Sequence, residues 1–239
     1  MSVKSRITQL NARLAEKLTA KGVGADGSET ATALIDKVDD IPQGGESGGL
    51  DLFPYIQSLQ FGADIREITE DIVLHLERAI ALSNMFDLKE LNAPKVTVYI
   101  SDACTTIGRA FGRAKGAVEV IEIIGDTRNV TNFNQTFQQR QNLREIIARL
   151  DFSSATTAYE MFNNTTALTE FRVVPNTLSL SLDVKYSPDL SNETLQSIKD
   201  GYKDMTGQTS PVLTLHADVK NRMTDEQKAA FTSKNVTIA

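Results

Sequence analysis

Glycines, histidines and paired carboxylates are where chemistry would reside in this chain. Gly22-Val-Gly24-Ala-Asp-Gly27 has the spacing of a dinucleotide-binding G-x-G-x-x-G, whose glycines let the backbone approach a pyrophosphate at a helix N-terminus. That chemistry needs a buried strand before the motif. Here a polar helical stretch precedes it, so the segment is read as a turn. His75 and His216 lie far apart, and neither has a Cys, His or acid cluster at ligand spacing, so no metal site is expected. The pairs Asp39-Asp40, Glu70-Asp71 and Asp225-Glu226 supply the residue type a glycosidase uses. Their position near predicted helix ends instead suits the helix dipole or plain solvation. No G-x-S-x-G elbow presents a nucleophile. Cys104 is the single cysteine, which excludes an internal disulfide and reads as a small buried hydrophobe. No catalytic residue and no cofactor is expected.

Charge narrows the partners. A net charge of −6 argues against binding to a phosphate backbone, which depends on Lys and Arg. Nucleic acid is therefore not an expected partner. The first residues, Met-Ser-Val-Lys-Ser-Arg-Ile-Thr-Gln-Leu, hold no continuous apolar core, so no secretory signal is expected; no apolar run is long enough to insert into a membrane. On that reading the Asn-x-Thr sequons at Asn129, Asn134, Asn163, Asn164, Asn192 and Asn235 are turn and loop residues rather than glycan acceptors. With 41% apolar and 23% charged residues, the chain has the composition of a folded protein.

The elements that position these residues begin with two amphipathic helices. Ile7, Leu10, Leu14 and Leu18 recur at steps of three and four, and Gly22 and Gly24 end that helix. Ser28 caps a second helix carrying Ala31, Leu34, Val38 and Ile41. Residues 1–21 carry Lys4, Arg6, Arg13, Lys17 and Lys21 against Glu16, whereas 26–46 carry six acids against Lys37, so the two segments neutralise each other if they pair. Residues 1–41 are thus an expected helical hairpin. Either it serves attachment and oligomerisation, with Ile7, Leu10, Leu14 and Leu18 as the partner-binding stripe, or it folds back on its own domain. Residues 42–49, Pro-Gln-Gly-Gly-Glu-Ser-Gly-Gly, form a flexible linker.

Beyond Leu50 the chain resembles itself. Thr136-Phe137-Gln-Gln-Arg-Gln-Asn-Leu143-Arg-Glu-Ile146 aligns with Met161-Phe162-Asn-Asn-Thr-Thr-Ala-Leu168-Thr-Glu-Phe171. A looser copy, slipped by one, starts at Ala110-Phe111, and a weaker one ends in Leu88-Lys-Glu-Leu91-Asn-Ala-Pro94. Each copy predicts a coiled segment with the aromatic residue, then a strand: Val118 to Ile124, Leu143 to Phe152, and Phe171 to Val174. Units this short bury their apolar faces only by stacking, with Phe111, Phe137, Leu143, Phe162 and Leu168 in a shared core. The expected fold is α/β: a leucine-rich-repeat-like solenoid over 50–189, with C-terminal capping repeats over 190–239. In that final part Leu178, Leu180 and Leu182 alternate as a strand, Glu193 to Met205 is helical, and Val212 to Ala217 is a strand. Thr224-Asp-Glu-Gln227 opens a helix to about Lys234, and Val236 to Ile238 completes the sheet.

The repeats of 110–175 resemble BspA-like leucine-rich repeats, whose units carry Ala/Met-Phe, a polar stretch, Leu-x-x-Ile/Phe and a strand. The run Leu190-Ser-Asn-Glu-Thr-Leu to Lys234-Asn-Val-Thr-Ile-Ala239 is similar to the ending of phage and prophage proteins with such repeats. Ala15-Glu-Lys-Leu-Thr-Ala-Lys-Gly-Val and Leu34-Ile-Asp-Lys-Val resemble the start of phage fibre and tail-associated proteins. The slipped copy at 110–124 and the poor match of 50–87 leave the number of coils open. The resemblance implies a bacteriophage virion structural protein, a fibre, tail-associated or decoration component, assembled in the host cytoplasm. It implies contacts with other virion proteins through the hairpin, a host-surface protein or glycan as ligand, and a homo-oligomer, trimeric as in fibres. It implies no catalytic residue. Two other functions keep the same repeats: a bacterial surface adhesin and a glycan-active solenoid enzyme.

Overall fold

The structure, a computed structural model, describes residues 15–16, 69–76, 79–87, 90–113 and 116–239. The expected hairpin, its stripe Ile7, Leu10, Leu14 and Leu18, the glycine turn at 22–27 and the linker at 42–49 lie outside the described residues. The chain divides into two units, Met1–Tyr55 and Ile56–Ala239. In the first, Ala15 and Glu16 are helical and Ala15 is buried.

The second unit is mixed α/β with parallel sheets. Five strands, β1 (Ile72–Leu76), β2 (Lys95–Ile100), β3 (Val120–Ile124), β4 (Glu145–Leu150) and β5 (Glu170–Val173), pair in chain order, each parallel to the next. Their β-branched residues alternate between faces, as the period of two requires. Val96, Ile121 and Ile146 share one register row and are buried; Val98 and Ile123 form the next buried row. A separate ladder of single parallel bridges links Ala81, Thr106, Asn132 and Thr157. Beside it Thr105, Thr131 and Thr156 each donate both N–H and hydroxyl to the carbonyl one copy earlier, at 2.9 and 3.0 Å.

Phenylalanines fill the space these ladders enclose. Phe86, Phe111, Phe137 and Phe162 stack in series with ring centroids 6.0, 5.7 and 5.7 Å apart. Leu143 and Leu168 are equally buried. Each ring is held by a turn with a left-handed residue two positions before it, at Asn84, Arg109, Gln135 and Glu160. A second left-handed residue follows two positions later at Arg113, Gln139 and Asn164. Left-handed backbone costs a non-glycine residue about 1–2 kcal/mol. It is over-determined here because these turns also pair with the next copy, Phe111 N–H with the Thr136 carbonyl and Phe137 N–H with the Met161 carbonyl, both at 3.0 Å.

The one-residue slip at 110–124 has a local cause. The carbonyls of Pro94, Glu119 and Arg144 each accept two N–H groups from the following copy, those of Glu119 and Val120, Arg144 and Glu145, and Thr169 and Glu170. The strand entries therefore stay in step. The extra residue lies between Phe111 and Glu119, where Gly116 at φ +145° packs against the Leu91 backbone too closely for any Cβ.

The sheet ends on a helix. α1 (Asn192–Gly201) runs along β5, and its hydroxyls occupy the hydrogen-bonding positions of a further strand: Phe171 N–H donates to Thr194 Oγ1 at 3.3 Å and Val173 N–H to Ser197 Oγ at 2.8 Å. Gly201 packs so closely on β5 that a Cβ there would overlap the Val173 side chain. Ser191 caps the N-terminus of α1, and the Lys234 ammonium donates to the carbonyls of Lys199 and Tyr202 at its C-terminus. The helix stops at Gly201 rather than Met205, because Tyr202 is extended and its bridge to Leu178 buries it.

A second parallel sheet comprises β6 (Leu182–Val184), β7 (Val212–Leu215) and β8 (Thr237–Ile238) in that order. Several expectations are corrected here. Leu178 makes a single bridge and Leu180 is only half-buried, so the strand begins at Leu182. β7 stops at Leu215 because His216 caps a short helix, α2 (Ala217–Arg222), by accepting the Asp218 N–H. α3 (Asp225–Thr232) opens with the capping box of Thr224 and Gln227, both bonds formed, and ends before Lys234. Residues 237–238 join this second sheet and not the first.

Candidate interaction surface

Parallel sheets are ordinarily covered on both faces. In β1–β5 the second face carries exposed side chains, and the register lines them up. Val73, Thr97, Glu122 and Ile147 form one row, in which Val73 and Ile147 are exposed at 55% and 39%, Glu122 is half-buried and Thr97 between them is buried. His75, Tyr99 and Ile124 form the next. Scattered single apolar residues are normal on a surface. Here they are ordered by the strands into adjacent rows.

Polar contacts fix the geometry of this face. The His75 ring lies flat on Tyr99, centroids 4.3 Å apart and planes at 11°. The Lys95 ammonium is 2.7 Å from Glu122, and Thr97 donates its hydroxyl to the same carboxylate at 2.9 Å. Hydrogen bonds from Lys95 and then Thr97 lower the Glu122 pKa, and the bond to Glu122 raises that of Lys95. Arg172 pairs with Glu170 at 3.4 Å on β5. The face thus presents apolar and aromatic groups between fixed charges of both signs.

A second line of polar side chains follows the left-handed turns. Arg109 Nε donates to Gln135 Oε1 at 2.6 Å, and Gln135 Nε2 donates to Glu160 Oε2 at 2.7 Å. Hydrogen bonds from Gln135 first, then from Tyr159 and Gln138, lower the Glu160 pKa. Tyr159 beside them is 65% exposed, and its bond to Glu160 raises its pKa.

The residues first considered for chemistry are dispersed. His75 stands on the sheet face and His216 caps α2. Among the described residues no three His, Cys, Asp or Glu come together as a metal site would need. Cys104 is buried, with its thiol against the Thr106 carbonyl and its pKa raised by burial. Asp225-Glu226 is in the first turn of α3, but Glu70-Asp71 precedes β1 and is not at a helix end; Asp39-Asp40 lies outside the described residues. Asn129 and Asn134 are turn residues whose side chains bond neighbouring copies, whereas Asn192 is the first residue of α1. Among the described residues no helix is long and apolar enough to cross a membrane.

Phe111, Phe137, Leu143, Phe162 and Leu168 all lie in the core and face no solvent. The sheet-face residues escaped the sequence reading because strand positions were assigned by their buried partners. Alternation in Lys95-Val-Thr-Val-Tyr-Ile100 does carry the signal: Thr97 and Tyr99 must oppose Val96 and Val98. No family model, no curated protein and no solved structure matches the chain.

Proposed function

We propose that the second unit is a leucine-rich-type solenoid and that the chain is a non-enzymatic structural and binding protein of a bacteriophage particle. The sheet face of Val73, His75, Tyr99, Ile124 and Ile147 is its binding surface. The exposure of Val73, His75, Ile124 and Ile147 on the second face of a parallel sheet carries the binding reading, since such faces are otherwise buried and no described element packs over these residues. The solenoid reading is supported by strands that pair in chain order and phenylalanines that stack one per copy. The virion assignment rests on the resemblance of residues 15–23 and 34–38 to the start of phage fibre and tail-associated proteins and of residues 190–239 to the ending of phage and prophage proteins with such repeats. In this reading the N-terminal segment fastens the chain to other virion proteins, as part of a homo-oligomer, and the repeats face a protein or glycan of the host surface.

Mass spectrometry of gradient-purified particles tests the assignment. Peptides of this chain at a stoichiometry constant across the particle peak are the expected result. Their absence from particles, with the chain displayed on bacterial cells, would replace the virion role by that of an adhesin.

A further inference from the structure

Among the described residues no strand pairs with the outer edge of β8, and a cationic cleft lies beside that edge. β8 bonds to β7 through Thr237 N–H to Pro211, Ala239 N–H to Leu213 and Leu215 N–H to Ala239. Leu213 is in register with Ile238. In a parallel ladder this pattern uses the groups flanking Ile238, so the N–H and C=O of Ile238 itself point away from β7. An unpaired donor and acceptor on a strand edge are a template for another strand.

Beside that edge is a cleft of about 600 Å³, within the range of ligand sites. Val236, Thr237 and Ile238 line it together with Lys220 of α2 and Lys228 of α3, and no carboxylate is among its lining residues. Neither lysine makes an ion pair or side-chain hydrogen bond among the described residues. Of its other polar groups, Ser210 bonds Thr237, Thr232 donates to the Lys228 carbonyl and the Asn235 amide donates to the carbonyls of Met205 and Gln208, while Asn221 also lines the cleft. The cleft therefore offers one strand edge, two cations and one side-chain amide.

We infer that the β8 edge takes up an extended acidic segment of a partner protein as a fourth strand, with its carboxylates between Lys220 and Lys228. Backbone pairing supplies the attraction, as in other cases of strand addition. The lysines decide the partner: they repel a basic strand and complement an acidic one, so specificity comes from attraction and exclusion together. This surface is separate from the sheet face of β1–β5, and its occupancy does not depend on that reading.

The test uses the full chain, ¹⁵N-labelled, titrated with the capped peptide Val-Glu-Val-Glu-Val-Glu. Binding should shift the amide of Ile238 together with those of Thr237 and Val236. Three controls should each weaken binding at least about tenfold: the Val-Lys analogue, the same acidic peptide N-methylated at alternate amides, and the Lys220→Glu/Lys228→Glu protein. The methylated peptide removes strand hydrogen bonds without altering the protein, so a folding defect cannot imitate its effect. Failure of the acidic peptide to bind would overturn the inference. Equal binding of the methylated peptide would also overturn it, since that reveals a simple anion site. So would a self-associated chain whose Ile238 amide is already protected, because a second copy would then hold the edge.

Discussion

The guanidinium of Arg140 reaches the carbonyl oxygen of Phe86 at 3.3 Å, across 54 residues of sequence. Its Nε donates to the carbonyl of Phe111 on the way. One side chain, 1% exposed, therefore ties the Phe137 turn to the two turns before it. Burial lowers its pKa to about 10, against the pull of Asp87, which itself holds Arg113 in a two-bond pair. The cation is stable in the core because it satisfies carbonyls that the turns leave open.

Arg140→Ala removes that link and takes a buried donor away from the carbonyls of Phe86 and Phe111. The expected loss is about 3 kcal/mol of unfolding free energy, read from urea denaturation. Arg140→Lys should recover only part of it, because a compact ammonium cannot serve two turns as a fork does. A change within about 0.5 kcal/mol for the alanine variant would mean that the link is ornamental.

Gly201 and Val173 make a reciprocal pair where α1 lies on β5. Gly201→Ala forces a methyl into the Val173 side chain and should cost about 1–3 kcal/mol. Val173→Ala opens the space, so the double variant should be less destabilised than the two single losses added together. Strict additivity in thermal unfolding would contradict the close approach.

The Lys95–Glu122 pair gives the sheet face a pH signature. The folded-state pKa of Glu122 lies below 4.5, so its contribution to stability is present above pH 4.5 and lost as pH falls through the folded value. Lys95 lies above 10.5, so its contribution is present below pH 10.5 and lost as pH rises through its own folded value. Urea midpoints should show this pair's share as flat between those limits. Glu122→Gln should flatten part of the acid-side decline, and an unchanged slope would deny the pairing.

Substitution of the exposed face separates binding from folding. Ile147→Ser should change stability by no more than about 0.5 kcal/mol and Tyr99→Ala, which also gives up the His75 stack, by about 0.5–1.5 kcal/mol, while adsorption of particles to host cells falls with both. For Tyr99 the stacked His75 ring loses its partner, which a histidine proton resonance would report. Normal adsorption by both variants would move the binding surface elsewhere.

Much of the stacking was legible in the chain. Phe111, Phe137 and Phe162 carried the copies, and Met85-Phe86 repeats the Met161-Phe162 pair closely enough to extend the series backwards. The similarity of Leu91-Asn-Ala-Pro94 to the other copies obscures it, because that stretch follows the aromatic turn of Phe86 instead of forming it. The helix α2 was hidden for another reason: its six residues follow a strand directly, and the cap is a histidine rather than Ser, Thr, Asp or Asn. Arg140 was invisible, since a lone Arg in a polar stretch reads as surface until the turns around it are placed. The exposure of the second sheet face likewise depends on which of the described elements pack against it, and no local pattern encodes that.

The central claim is that this chain stands on a virion with its sheet face outward. A density map of the intact particle, at a resolution that separates strands, tests it most directly. The account predicts copies of the parallel stack on the particle with the Tyr99 and Ile147 face clear of neighbouring virion proteins. Particles without such density, or with that face sealed against the shell or tail, would contradict it.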